Sequence, residues 1–132
     1  LVVYTDAISD DNEELIEARK LQAPVVTRGV FLGTLMRNYK NSIAISGSHG
    51  KSTATSMISK ILLHSDENPT ILLGGNLDDM KGNVKVGNED FLVTEACEYK
   101  GNIRYYYPQT VIILNIDEDH LDYYKGLSKK SR

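Results

Sequence analysis

The sequence predicts an α/β protein built on a mainly parallel, doubly wound sheet. Three observations predict it. Short apolar runs of strand length alternate along the chain with segments whose apolar residues recur at helical spacing. A loop rich in glycine and small polar residues, Gly47 to Thr53, joins one apolar run to one helical segment, the placement of a P-loop. Polar residues gather directly after two further apolar runs, at Glu95 and at 115–120, where open α/β sheets place their ligands.

Taken in order, Leu1 to Tyr4 reads as a strand. Asp10 and Asp11 precede Asn12-Glu13-Glu14, and Leu15, Ala18 and Leu21 follow at spacing three. Acidic residues in a first turn suit the positive end of a helix dipole. Pro24 ends that helix, and Val25-Val26 is a short strand. Val30 to Met36 reads as a second helix with Leu32, Leu35 and Met36 on its apolar side. The polar stretch Arg37 to Asn41 marks a domain boundary. Ser42 to Ser46 is the strand before the loop, and Ala54, Met57, Ile58, Ile61 and Leu62 form the apolar stripe of the helix after it. Thr70 to Leu73 is a strand closing at Gly74-Gly75, and Asn76 to Asn83 reads as a polar loop. Val84 to Val86 and Phe91 to Thr94 are short strands around a turn at Gly87-Asn88. Asn102 to Tyr107 reads as a helix stopped by Pro108, and Thr110 to Leu114 as an apolar strand.

The chain has 132 residues, 41% hydrophobic and 25% charged, enough apolar content for a modest core. A net charge of -3 without a long basic block argues against a nucleic-acid or membrane-surface partner. No apolar run approaches the ~20 residues of a membrane span. The single cysteine, Cys97, forms no internal disulfide and fits a reducing, cytoplasmic compartment. The chain opens inside a strand-like run and closes on the basic stretch Ser128 to Arg132, which predicts a piece of a longer protein.

A strand-to-helix loop aims several backbone N–H groups, and the helix dipole, at one point. Gly47 and Gly50 let a ligand approach the main chain, Lys51 reaches terminal phosphates, and Ser52 offers a hydroxyl to Mg²⁺. The pattern G-x-x-x-x-G-K-[ST] asks for glycine at position 45, where Ile45 stands, so the loop is either a divergent phosphate site or a tight turn with a surface lysine. Glu95, after Phe91-Leu92-Val93, is either a Mg²⁺ ligand facing that loop or an exposed glutamate starting a turn. Asn115 to His120 crowds polar side chains at another strand end, with His120 open to metal, acid–base or structural use. Tyr105, Tyr106 and Tyr107 lack the basic groove of a stacking platform and read as part of an amphipathic helix. Cys97 reads as a small apolar side chain and His64 as a helix-end residue.

Gly47-Ser48-His49-Gly50-Lys51-Ser52-Thr53 resembles the ATP loop of the Mur ligases, a family whose loop lacks the early glycine. Thr94-Glu95-Ala96-Cys97-Glu98 is similar to the family's Glu-Ala-Asp-Glu segment, with Glu95 at the metal-binding glutamate and Cys97 where many members have aspartate. Asn115-Ile116-x-x-Asp119-His120-Leu121-Asp122 resembles the family loop in which the histidine binds a second Mg²⁺. Gly74-Gly75 and Gly82-Asn83 match the region near the muramyl substrate. Ala23-Pro24-Val25-Val26-Thr27-Arg28 resembles the pattern closing the UDP-binding domain. The resemblance implies that residues 1–38 are the C-terminal part of a Rossmann-like UDP-binding domain and 39–132 the N-terminal part of the central ATPase domain.

Within the family, His49 points to the member that adds the first amino acid or to the one that recycles murein tripeptide. The first implies ATP-dependent joining of L-alanine to the lactyl carboxylate of UDP-N-acetylmuramate through an acyl phosphate. The resemblance further implies ATP contacts from Gly47, Ser48, His49, Gly50, Lys51, Ser52, Thr53 and Asn115, and Mg²⁺ held by Ser52, Glu95 and His120. Lys51, Glu95 and His120 would serve catalysis. A nucleotide-binding module without chemistry would keep the loop and have no use for Glu95 and His120.

Overall fold

The computed structural model describes residues 1–117. Two sheets are formed among the described residues. In the smaller, β1 (Val2–Tyr4) lies parallel to β2 (Val25–Thr27), with Val3 beside Val26. Helix α1 (Glu13–Lys20) connects them, its first turn capped by the Asn12 side chain, which accepts from the Leu15 N–H at 3.1 Å. Helix α2 (Arg28–Met36) follows β2 directly, capped by Thr27.

The larger sheet holds β3 (Asn41–Ser46), β4 (Thr70–Leu77), β5 (Gly82–Lys85), β6 (Phe91–Glu95) and β7 (Thr110–Ile113) in the order β5-β4-β6-β3-β7. Every neighbouring pair is parallel except β4 and β5. Helix α3 (Lys51–Leu63) packs on β3, β4 and β6. The core groups Leu32 and Met36 of α2 with Ala44, Leu92, Ala96 and Tyr106, so α2 shares its apolar face with the larger sheet. Gly33 makes that packing close, since a Cβ there would stand 1.7 Å from the Tyr105 carbonyl oxygen.

The predicted fold class therefore stands, and four local expectations change. β4 does not stop at the glycines. It runs on to Leu77, and the stretch read as a loop turns back through a 3-10 turn at Asp78–Met80 into β5, antiparallel to β4. An exposed edge hairpin tolerates glycine and polar residues that a buried strand excludes. β5 and β6 are consequently not neighbours, because β4 lies between them. The segment expected as a helix before Pro108 is a 3-10 stretch, Tyr99–Tyr105, broken by left-handed backbone at Lys100 and Gly101. Of its tyrosines, Tyr106 is buried and Tyr107 lies under the Arg37 guanidinium at 3.8 Å. Finally, α3 buries Thr55 and Ser59 and leaves Met57 and Ile61 exposed, so its inner face is turned by about one residue from the apolar stripe. Close approach of the helix to the sheet selects the small side chains, and the Thr55 hydroxyl donates to the Lys51 carbonyl at 2.7 Å instead of needing a partner in the sheet.

Candidate functional site

Parallel pairing brings the C-terminal ends of β4, β6, β3 and β7 to one edge of the sheet. The register sets Glu95 opposite Ile45 and Ile113 opposite Ser46, so the loop after β3 lies between the ends of β6 and β7. Gly74 arrives from β4 on the far side of Glu95.

The loop after β3 needs its glycines. Gly50 is the residue before α3 and sits at φ +83, where a side chain is strained. Gly47 has φ +145, and a Cβ there would lie 3.2 Å from Leu114 and 3.3 Å from the Asn115 main chain. The first N–H groups of α3, a helix of thirteen residues, have no intrahelical partner and face an open groove of about 370 Å³ lined by Ser48, His49, Gly50, Lys51, Ser52 and Thr53. Positive potential at a helix start makes that groove suited to an anion.

Neighbouring strand ends brace the loop. Asn115 accepts from the His49 N–H at 2.9 Å and donates to the His49 carbonyl at 2.9 Å. The Ser48 hydroxyl donates to the Asp117 carbonyl and accepts from the Asp117 N–H at 2.9 Å. Asn115, expected among the nucleotide contacts, thus has its amide engaged with the loop main chain. The His49 ring is exposed, 3.9 Å from the Asp117 carboxylate.

Glu95 is the centre of the polar cluster. Its Oε2 accepts from the Ser52 hydroxyl at 3.1 Å, and its Oε1 accepts from the Gly74 N–H at 2.7 Å. A carboxylate and a hydroxyl meeting beside a phosphate-sized groove are the hard oxygen donors that Mg²⁺ takes, with water and phosphate oxygens filling its remaining positions. Among the described residues no three His, Cys, Asp or Glu side chains form a metal cluster. His120, the third expected metal ligand, lies outside the described residues. Lys51 is mostly buried, and its Nζ lies 3.5 Å from Glu98 Oε2. In the sequence Glu98 is only the last residue of the Thr94-Glu95-Ala96-Cys97-Glu98 segment, with nothing to link it to Lys51. Only the fold brings it under the loop.

The model of the Mur ligase middle domain matches residues 45–129. The chain belongs to the Mur ligase family. A UDP-N-acetylmuramate–L-alanine ligase of Clostridium acetobutylicum is 58% identical over 127 residues, which cover 96% of this chain and 28% of that protein. The crystal structure of a UDP-N-acetylmuramate-alanine ligase from Thermotoga maritima matches with TM-score 0.86 at 36% identity, over 98% of this chain and 30% of that one. A UDP-N-acetylmuramate:L-alanyl-gamma-D-glutamyl-meso-diaminopimelate ligase from Neisseria meningitides shares the fold at TM-score 0.79 and 22% identity. The chain spans about 28% of the length of the curated Mur ligases it matches.

Cys97, where many Mur ligases were expected to carry aspartate, is a half-buried free cysteine. His64 closes α3, with its Nδ1 2.8 Å from the Lys60 carbonyl. No helix among the described residues is long and apolar enough to cross a membrane.

Proposed function

We propose that this chain forms the nucleotide-handling part of a ligase that joins L-alanine to the lactyl carboxylate of UDP-N-acetylmuramate, using ATP, in peptidoglycan precursor synthesis. The observation that carries the proposal is the meeting of Lys51, Ser52 and Glu95 at the N-terminus of α3. High identity to ligases of that name supports the choice of substrates. Residues 1–38 would belong to the UDP-binding domain and 39–132 to the central ATPase domain.

In this reading the substrate carboxylate attacks the γ-phosphate of ATP, and the amine of L-alanine then displaces phosphate from the acyl phosphate. Two anions must approach each other, so positive charge has to be in place beforehand. The N–H groups of residues 50–53 hold the phosphate chain, and Lys51 neutralises its terminal oxygens. Ser52 and Glu95 would hold Mg²⁺, with His120 proposed for a second ion. Bound there, the metal supplies further charge neutralisation. Gly74 fixes the Glu95 carboxylate from behind.

The test uses a full-length ligase carrying this segment. Phosphate release from ATP is expected to require both UDP-N-acetylmuramate and L-alanine. Lys51→Ala is expected to lower it by ~10²–10³-fold with the fold intact. Equal release by that variant, or a requirement for tripeptide in place of L-alanine, would refute the proposal.

A further inference from the structure

The Lys51 ammonium has three N–H donors. Among the described residues three acceptors meet it: the Gly47 carbonyl at 2.5 Å, the Ser48 carbonyl at 3.4 Å and Glu98 Oε2 at 3.5 Å. The carbonyls belong to the loop itself and are neutral. Glu98 comes from the turn after β6, where the Gly101 N–H donates to its carbonyl at 2.9 Å. Its side chain is 7% exposed and that of Lys51 is 17% exposed. Little solvent screens this pair, so its attraction is far stronger than that of a surface ion pair. A buried carboxylate beside an anion-binding loop also opposes the charge that the loop attracts.

We propose that Glu98 is a positioning residue acting through Lys51, the counter-ion that the ammonium exchanges for a nucleotide phosphate oxygen. The proposal rests on the reading of Gly47–Thr53 as a phosphate loop. With three donors facing three protein acceptors, Lys51 reaches a phosphate oxygen only by releasing one of them. The Glu98 contact is the longest of the three, and it is the one that another anion replaces charge for charge. A cavity of about 80 Å³, lined in part by Gly47, Glu98 and Asn115, gives the carboxylate room to withdraw. Glu98 thus holds nucleotide affinity below what the loop alone would give, and keeps the ammonium directed between the loop and β6.

The experiment measures Mg²⁺-ATP affinity by calorimetry, and the Mg²⁺-ATP-induced rise in melting temperature, in a full-length ligase carrying this segment. The wild type is compared with Glu98→Gln, Glu98→Asp, Lys51→Ala and the Glu98→Gln/Lys51→Ala pair. Glu98→Gln is expected to bind Mg²⁺-ATP roughly tenfold tighter, because the ammonium no longer leaves a carboxylate to meet phosphate. KM for ATP and kcat should fall together, the signature of a deepened ground state. In the Lys51→Ala background the same change should tighten binding by less than about threefold, since the two residues act as one unit. Should Glu98→Gln fail to fold, Glu98→Asp keeps the charge one methylene further from Nζ and is expected to bind about threefold tighter. Wild-type or weaker affinity in the folded Glu98 variants overturns the exchange, while loss of binding in Lys51→Ala would leave the phosphate loop standing. Equal tightening in both backgrounds overturns the route through Lys51. Absence of binding in the wild type overturns the phosphate loop and the exchange together.

Discussion

Replacing Glu95 by glutamine tests the metal assignment in a way that separates charge from shape. The amide has the size of the carboxylate and one acceptor oxygen, so it can still take the Gly74 N–H now bound at 2.7 Å. Its NH₂ group would face the Ser52 hydroxyl, now 3.1 Å from Oε2, which can turn to accept. The structural cost is the difference between charge-assisted and neutral hydrogen bonds, about 1 kcal/mol, or roughly 3–6 °C in melting temperature for a domain of this size. The effect on nucleotide binding should be larger and should change sign with metal. With Mg²⁺, an amide is a poorer ligand than a carboxylate, so the Mg²⁺ concentration for half-maximal ATP binding should rise at least ~10-fold. Without Mg²⁺, the carboxylate only repels the phosphates across the Ser52 side chain, so the variant should bind metal-free ATP as well as the wild type or better. Titrating a fluorescent ATP analogue into a full-length ligase carrying this segment, with Mg²⁺ and with chelator, reads both arms. An unchanged Mg²⁺ requirement would show that Glu95 serves only to join β4, β6 and α3. Equal weakening in both arms would show a distorted loop.

Two further expectations concern the fold that carries the site. Gly33→Ala should destabilise the protein by about 3 kcal/mol, because the added Cβ would stand 1.7 Å from the Tyr105 carbonyl, and backbone on both sides would have to part. Gly75→Ala, where a Cβ meets nothing within 4 Å, is the control in the same urea titration, and equal midpoints for the two variants would refute close packing of α2. Burial pushes the Tyr106 hydroxyl up to about 12, helped by the charge of the Cys97 thiolate. The unfolded chain ionises this tyrosine near 10, so between about 10 and 12 the unfolded state binds fewer protons, and stability falls as pH rises. Tyr106→Phe should lose less stability than the wild type across that interval in chemical denaturation. Parallel decline of the two would place the alkaline sensitivity elsewhere.

What the sequence revealed and what it hid divide along a physical line. Parallel strands buried on both faces are written as continuous apolar runs, and Ile43 to Ile45, Ile71 to Leu73 and Phe91 to Val93 are legible for that reason. The phosphate-loop glycines are legible because few structures need glycine, lysine and a hydroxyl residue together at the start of a helix. β5 was legible only in part: Val84 carries a strand signal, but Gly82 and Asn83 of this exposed edge strand look like loop, and nothing local shows that the strand pairs with β4.

The inner face of α3 was hidden for a different reason, and it bears on the site. Periodicity assumes that the most apolar residues face the core. Here the helix must start beside the ends of β3 and β6 so that its first turn can offer N–H groups and Ser52 to one point. That requirement brings its axis near the sheet, and only Thr55 and Ser59 fit between, both fully buried. Met57 and Ile61 are left outward, at 62% and 70% exposure. Glu98 was hidden by the same logic. Three residues from Glu95 on an irregular turn, it has no periodic relation to Lys51, and the pair exists only because β6 lies next to β3 in the sheet. In this chain the helix is placed to serve the loop, and apolar burial gives way at the positions where the two demands conflict.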